Sequence, residues 1–180
     1  PCAVARVVRT TQYERRMVIS AESSADVNDR PLSYHWSVLR GDTERIQINK
    51  LNDSGSLVEL VIPYHERRPV APGSPLESNR VDIGVFVHNG ELCSAPAFVS
   101  FFYLDNERRV YDSQQRISVV DYADPQYAKN YVDPLLDAPK QWRDEYHYGS
   151  DGKLTGWTRV RDDATQRFTA DGLLVTKTDA

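Results

Sequence analysis

The sequence has 180 residues, which is room for one domain of ordinary size or two small ones. Its 22 basic and 26 acidic side chains give a net charge of −4, which argues against a nucleic-acid partner. No apolar run approaches the roughly 20 residues of a membrane-spanning helix, and no charged-then-apolar leader precedes Pro1. We therefore expect no membrane insertion, and either a mature protein or a piece of a longer chain with neighbouring domains.

The first hundred residues consist of short apolar segments of period two, separated by turns rich in Asp, Asn, Ser, Gly and Pro. This pattern is typical of half-buried antiparallel strands. Strands are predicted at about 3–8, 17–21, 32–39, 45–48, 57–62, 81–87 and 97–103. The last two should pair, because Asn89-Gly90 tolerates the backbone angles of a hairpin turn. Seven strands in this length suit a β-sandwich, so the predicted fold is all-β.

The amino-acid composition of the chain changes after Tyr103, where the sequence becomes richer in tyrosine. Asp124-Pro125 is a helix start signal, and Pro134 should end that helix early. The stretch 142–177 alternates again and is predicted to form a small antiparallel β-meander. We therefore divide the chain into a sandwich over 1–104 and an extension over 105–180, formed by a short helix and the meander and packed on the sandwich.

A weak internal repeat lies in this second half, at 111–117, 148–154 and 168–174. Each copy has an aromatic residue, two small or polar residues, an Asp-Gly-like pair, one variable position and an aliphatic residue. The physical interpretation is a strand, a tight turn and a return strand whose aliphatic residue packs near the aromatic one. The first copy has Gln114-Gln115 in place of Asp-Gly, so its turn is the least regular.

The segment from Ser20 to Trp36, with Asp26 and Asn28 in its turn and Pro31-Leu32 entering the next strand, resembles the opening of PKD (polycystic kidney disease) domains. The chain from Arg80 to Tyr103 is similar to the closing hairpin of that family. The resemblance implies an immunoglobulin-like β-sandwich in an extracellular protein. It departs after Trp36, where Val38-Leu39-Arg40-Gly41-Asp42 replaces the aromatic-Gly-Asp-Gly signature of the family.

The three repeat copies are similar to degenerate YD repeats of Rhs-type bacterial surface and secreted proteins. Three copies cannot build the large shell that such proteins form, so this resemblance implies only a hairpin-rich appendage.

Two cysteines, Cys2 and Cys93, are present. In an immunoglobulin-like sandwich, the start of the first strand lies at the same end as the loop between the last two strands, where Cys93 falls. A disulfide in an oxidising compartment and two unrelated thiols remain alternatives.

Asp26, Asn28 and Asp29 place three oxygen-bearing side chains within four residues, a composition that calcium favours. Some relatives of the resembled family bind calcium near their strand ends. The competing interpretation is that Asp and Asn in turns bond to their own backbone. No other cofactor is predicted.

Nothing in the sequence assembles a nucleophile, a base and an orienting group, so we predict no enzyme activity. His65-Glu66 and the carboxylate pairs Asp144-Glu145 and Asp162-Asp163 are the nearest candidates. Adjacent strand residues point to opposite faces, so neither carboxylate pair converges by itself.

Tyr146, Tyr148 and Trp157 could share a face of the meander and stack on sugar rings or a partner's side chains, although core packing explains them equally well. We therefore predict a non-catalytic interaction or spacer module of a bacterial surface or secreted protein, binding protein or carbohydrate. The alternative is an accessory domain or fragment of a secreted hydrolase.

Overall fold

A computed structural model describes residues 3–104, 106–127, 129–133 and 141–179, and the predicted all-β class is confirmed. The described residues contain fifteen strands and no helix. Within these ranges, no helix is of the length and apolar character needed to span a bilayer. The chain divides into two compact units. The first unit is the segment ending at Arg9 with Glu14–Tyr103, and the second is Thr10–Tyr13 with the chain from Leu104 onward.

The first unit contains nine strands in two main sheets and a short pair. Their bounds are β1 Ala3–Val7, β2 Glu14–Ser20, β3 Ser33–Arg40, β4 Gln47–Lys50, β5 Leu57–Pro63, β6 Arg68–Pro69, β7 Glu77–Ser78, β8 Val81–His88 and β9 Ala97–Phe102. One sheet has the order β1-β9-β8-β3, the other β2-β5-β4, and β6 pairs with β7. Strand β1 runs parallel to β9, and all other pairs are antiparallel.

The core of this unit is formed by alternating apolar residues of the strands that occupy the middle of each sheet. Leu60, Ile62, Val81 and Ile83 are fully buried on β5 and β8. Val85 on β8 and Val99 on β9 are also buried, whereas Ile19, Tyr34 and Trp36 are half-buried. Ile19 and Trp36 line an opening between strands of the two main sheets.

The second unit is a six-stranded antiparallel meander in which each strand pairs with the next along the chain. Its strands are β10 Arg108–Tyr111, β11 Ile117–Asp121, β12 Arg143–Tyr148, β13 Leu154–Arg161, β14 Ala164–Thr169 and β15 Leu174–Asp179. The predicted meander is thus confirmed, and it begins earlier than expected because β10 and β11 belong to it.

Each of the three repeat copies forms a hairpin, as the sequence predicts. The aromatic residue pairs directly with the aliphatic one in every copy: Tyr111 with Ile117, Tyr148 with Leu154 and Phe168 with Leu174. Every hairpin also needs one residue with positive φ. Gly152 and Gly172 provide it at 78° and 85°, and Gln115 takes the same conformation at 61°.

The helix predicted after Asp124-Pro125 is not formed by the described residues, which make successive turns instead. Asp124 does act as a cap, because its side chain accepts a hydrogen bond from the backbone N–H of Gln126 at 2.9 Å. The Tyr127 N–H then bonds back three residues to the Asp124 carbonyl, and Asn130 adopts a left-handed φ of 64°. Such a residue ends helical winding. Pro134 lies outside the described residues.

Candidate functional site

Three loops meet at one end of the first unit: 21–32, 51–56 and 89–96. The pairing registers place them together, because Ser33 at the start of β3 pairs with His88 at the end of β8. Ser20 at the end of β2 likewise pairs with Leu57 at the start of β5. We call these three loops the loop end.

Two polar contacts tie the first and third of these loops together. The Asn89 side-chain amide donates to Asp26 Oδ2 at 2.7 Å, and Arg30 forms an ion pair with Glu91 at 2.5 Å. The hydrogen bond from Asn89, followed by the one from the Asn28 backbone, lowers the pKa of Asp26, so its carboxylate stays ionised. These contacts join the first and third loops of the loop end directly.

The calcium candidates Asp26, Asn28 and Asp29 lie in the first loop, where the structure shows Asp26 engaged with protein groups. Asp26 Oδ1 accepts the backbone N–H groups of Asn28 at 2.8 Å and Arg30 at 3.4 Å. Asp29 adopts a positive φ of 54°. In the described ranges, no group of three or more His, Cys, Asp or Glu side chains is arranged to hold a metal ion.

An apolar groove of about 1020 Å³ opens behind these loops. Strands of both main sheets line it, with Ile19, Trp36, Val85, Phe98 and Val99 among the contributors. The lip is formed by the third loop, where Leu92 is 71% exposed. Soluble proteins rarely group exposed large apolar side chains unless they bind something there.

The sequence did not predict this groove, because it is built from residues that appear as ordinary core positions or loop residues. Leu92, the large apolar residue on its lip, has no local pattern that distinguishes it from an ordinary loop residue. Cys93 lies on the same lip with an exposed thiol, and Cys2 lies outside the described residues. The predicted bridge between them stays a prediction.

Tyr146, Tyr148 and Trp157 are half-buried on one face of the meander, and each ring contacts a neighbouring side chain. The Trp157 indole lies between Phe168, stacked at 5.2 Å and 12°, and Tyr146, tilted by 30° at 6.0 Å. The Arg116 guanidinium covers the Tyr148 ring at 4.6 Å, and the Tyr148 hydroxyl donates to the Ile117 carbonyl at 2.9 Å. A sugar needs an open aromatic face, so these contacts favour cross-strand packing.

The residues considered for catalysis do not converge. Asp144 is buried and accepts two hydrogen bonds from Arg159, at 2.7 and 2.8 Å, whereas Glu145 pairs with Arg143. Asp162 and Asp163 occupy the turn between β13 and β14.

His65, the histidine considered for catalysis, is buried at the opposite end of the first unit from the loop end, and burial lowers its pKa. Its ring is held between the Pro63 carbonyl and the Asp42 N–H.

The second unit also contains a buried ionic cluster that the sequence did not predict. Glu107 and Arg109 are each 1% exposed, and Arg109 Nε donates to Glu107 Oε1 at 2.5 Å. The Tyr122 hydroxyl donates to the other oxygen of Glu107 at 2.7 Å, and Arg109 also donates to the Thr10 carbonyl at 2.7 Å. Every charge in this cluster is paired, which indicates a structural role.

We expect the second unit to lose stability in alkaline solution because of Tyr122 and Tyr146. Burial, reinforced by the charge of Glu107, raises the pKa of Tyr122, and burial together with Asp144 raises that of Tyr146 to about 12. Above a pH of about 10, unfolded tyrosine loses its proton while these two keep theirs. The folded state then binds more protons, so the free energy of unfolding falls as pH rises.

Urea unfolding at pH 8 and pH 11 measures this effect. The Tyr146→Phe variant removes one of the two titrating groups, so its stability should fall less between the two pH values than that of the unmodified protein. Identical losses in the two proteins would contradict the assignment to Tyr146.

Comparisons with known proteins leave the family of this chain open. No family model and no curated protein matches it. One solved structure is similar, that of a nucleoside hydrolase-related hypothetical protein from Saccharophagus degradans that is associated with carbohydrate metabolism. The match has 15% sequence identity and a TM-score of 0.37, and it covers 57% of this chain and 22% of the other. A likeness of this size supports no argument about fold or function.

Proposed function

We propose that this chain is a non-catalytic interaction module of a secreted or surface-exposed bacterial protein, and that it binds a protein partner through the loop end. Its first unit would be a PKD-like, immunoglobulin-like sandwich. Two observations support that architecture: seven strands in two main sheets, and a first strand that runs parallel to the last. In such sandwiches, loops at one end of the strands commonly form the binding surface.

The observation that carries the proposal is the apolar groove lined by two loops that contact each other. The Asp26–Asn89 and Arg30–Glu91 contacts join these loops, and Leu92 extends from the lip of the groove. A preformed surface loses little conformational entropy on binding. Exposed apolar side chains beside such a surface gain free energy when a partner covers them.

A polypeptide fits this surface better than a carbohydrate does. Sugars are bound by stacking on open aromatic rings and by convergent polar groups. The groove has mainly aliphatic walls, and the aromatic cluster of the second unit is covered by its own neighbours. Aliphatic side chains of a partner protein can pack directly against these walls.

A random-peptide display library and a glycan array, both probed with the full chain, test the proposal. We expect enrichment of peptides with apolar cores, and loss of that enrichment in Leu92→Asp. Leu173→Asp is the matched control, because Leu173 is 68% exposed but belongs to the second unit. The proposal would be overturned if the chain bound glycans on the array but no peptide in the library. It would also be overturned if Leu92→Asp enriched the same peptides as the unmodified chain.

A further inference from the structure

The loop end is strongly acidic compared with the rest of the first unit. Its three loops carry five carboxylates against a single guanidinium, that of Arg30; the carboxylates are Glu22, Asp26, Asp29, Asp53 and Glu91. The net charge of these loops is −4, and it is −3 when the Lys50 ammonium, which lies beside Gly55 of the second loop, is included. Four of the five carboxylates lie on exposed residues, the exception being the half-buried Asp26.

The opposite end of the same unit provides an internal comparison. Its segments 41–46 and 64–80 carry four acidic and four basic residues, so their charges balance; the residues are Asp42, Glu44, Glu66, Glu77, Arg45, Arg67, Arg68 and Arg80. The acidity is thus confined to the end that contains the groove. Asp26 lines the groove itself, and Glu22 and Asp29 line an adjoining pocket that shares Asp26 with it. A field of one sign beside an apolar cleft favours partners of the opposite sign.

The backbone around the groove indicates the shape of its occupant. Val4 of β1 and Ile19 of β2 both line the groove, and each of these strands pairs on one side only in the described sheets. An edge strand presents backbone N–H and C=O groups that an extended peptide can pair with. Side chains that alternate along such a peptide would point in turn into the groove and outward.

We infer that the groove binds an extended segment of a partner protein whose apolar side chains are flanked by lysine or arginine. The inference rests on the proposed function and adds the charge and conformation of the ligand. The apolar side chains fill the space beside Trp36 and Phe98, while the flanking cations lie against the acidic loops. Those charge pairs are exposed to water, so each contributes modestly and is weakened by salt.

Three peptides with the same Val-Ile-Val core, flanked by lysines, by serines or by glutamates, test this inference with the full chain. We expect the lysine-flanked peptide to bind about ten-fold more tightly than the serine-flanked one at low salt, and the glutamate-flanked one to bind most weakly. Raising the ionic strength should reduce the difference between them. Fluorescence anisotropy of labelled peptides measures each dissociation constant.

A charge-neutralised variant identifies the surface. Glu22→Gln/Asp29→Asn/Asp53→Asn should abolish most of the preference for lysine, because it removes three carboxylates while keeping hydrogen-bonding side chains and the Arg30–Glu91 ion pair. Asparagine also tolerates the left-handed backbone at position 29. The matched control is Glu44→Gln/Glu66→Gln/Glu77→Gln at the other end, which removes the same charge and should leave the preference unchanged.

The outcomes separate this inference from the proposed function. Binding of all three peptides with equal affinity, or an effect of the control triple equal to that of the loop-end triple, would overturn the inference and leave the interaction module standing. Failure of every peptide, in the display library as well, would overturn both. A dimer in sedimentation analysis that Leu92→Asp dissociates would assign the groove to a second copy of the chain and also overturn the inference.

Discussion

Replacing Glu107 by alanine is expected to destabilise the second unit by about 3–5 kcal/mol. The variant leaves the Arg109 guanidinium buried and without its carboxylate, and it removes the acceptor of the Tyr122 hydroxyl. An uncompensated buried charge is among the most costly defects that a single substitution can create. Urea unfolding followed by circular dichroism at pH 7 measures the loss.

Glu145→Ala is the matched control for this prediction. Glu145 also pairs with an arginine, Arg143, but both side chains are 46% exposed. An exposed ion pair of this kind contributes about 1 kcal/mol or less, so the control should unfold close to the unmodified protein. Equal losses in Glu107→Ala and Glu145→Ala would show that burial of the Glu107 pair has no energetic consequence.

A double substitution keeps the prediction testable if Glu107→Ala does not fold. Glu107→Leu/Arg109→Met removes both charges and fills their volume with apolar atoms. Buried ion pairs replaced in this way often lose little stability, because the desolvation cost of both charges disappears. We therefore expect the double variant to be more stable than Glu107→Leu alone, whereas additive losses would contradict a coupled pair.

The features that the sequence predicted well are those set by local chemistry. The repeat hairpins follow from turn residues a few positions apart, and the Tyr148–Leu154 and Phe168–Leu174 pairs form as expected. Even the irregular copy closes, because Gln115 adopts the left-handed conformation that glycine provides elsewhere. The alternation of Val81, Ile83 and Val85 likewise predicts a buried strand face correctly.

The features that the sequence did not predict depend on contacts between distant segments. The groove is lined by two loops, 21–32 and 89–96, whose contact between Asp26 and Asn89 spans 63 positions, and its lip residue Leu92 has no distinctive local pattern. Glu107 and Arg109 look like a surface charge pair, since charged residues are rarely buried. The helix predicted after Asp124 does not form in the described residues, because an N-terminal cap does not ensure that the following residues adopt helical backbone angles.

Replacing Trp36 by alanine is expected to destabilise the first unit by about 3 kcal/mol. The indole extends from β3 of one sheet, and its N–H donates to the carbonyl of Gly55, in the loop before β5 of the other sheet, at 2.8 Å. The substitution removes this link and a large apolar surface at the floor of the groove. For a unit of about 100 residues, the melting temperature should fall by roughly 10 °C or more.

Two further variants separate packing from hydrogen bonding at this position. Trp36→Phe keeps an aromatic ring but loses the donor to Gly55, so it should cost about 1 kcal/mol, much less than Trp36→Ala. Val18→Ala, on the neighbouring strand β2, changes a side chain that is 59% exposed and should have little effect. A melting temperature of Trp36→Ala within a few degrees of that of the unmodified protein would contradict the prediction. The contacts of the indole with both sheets would then contribute little to the stability of the first unit.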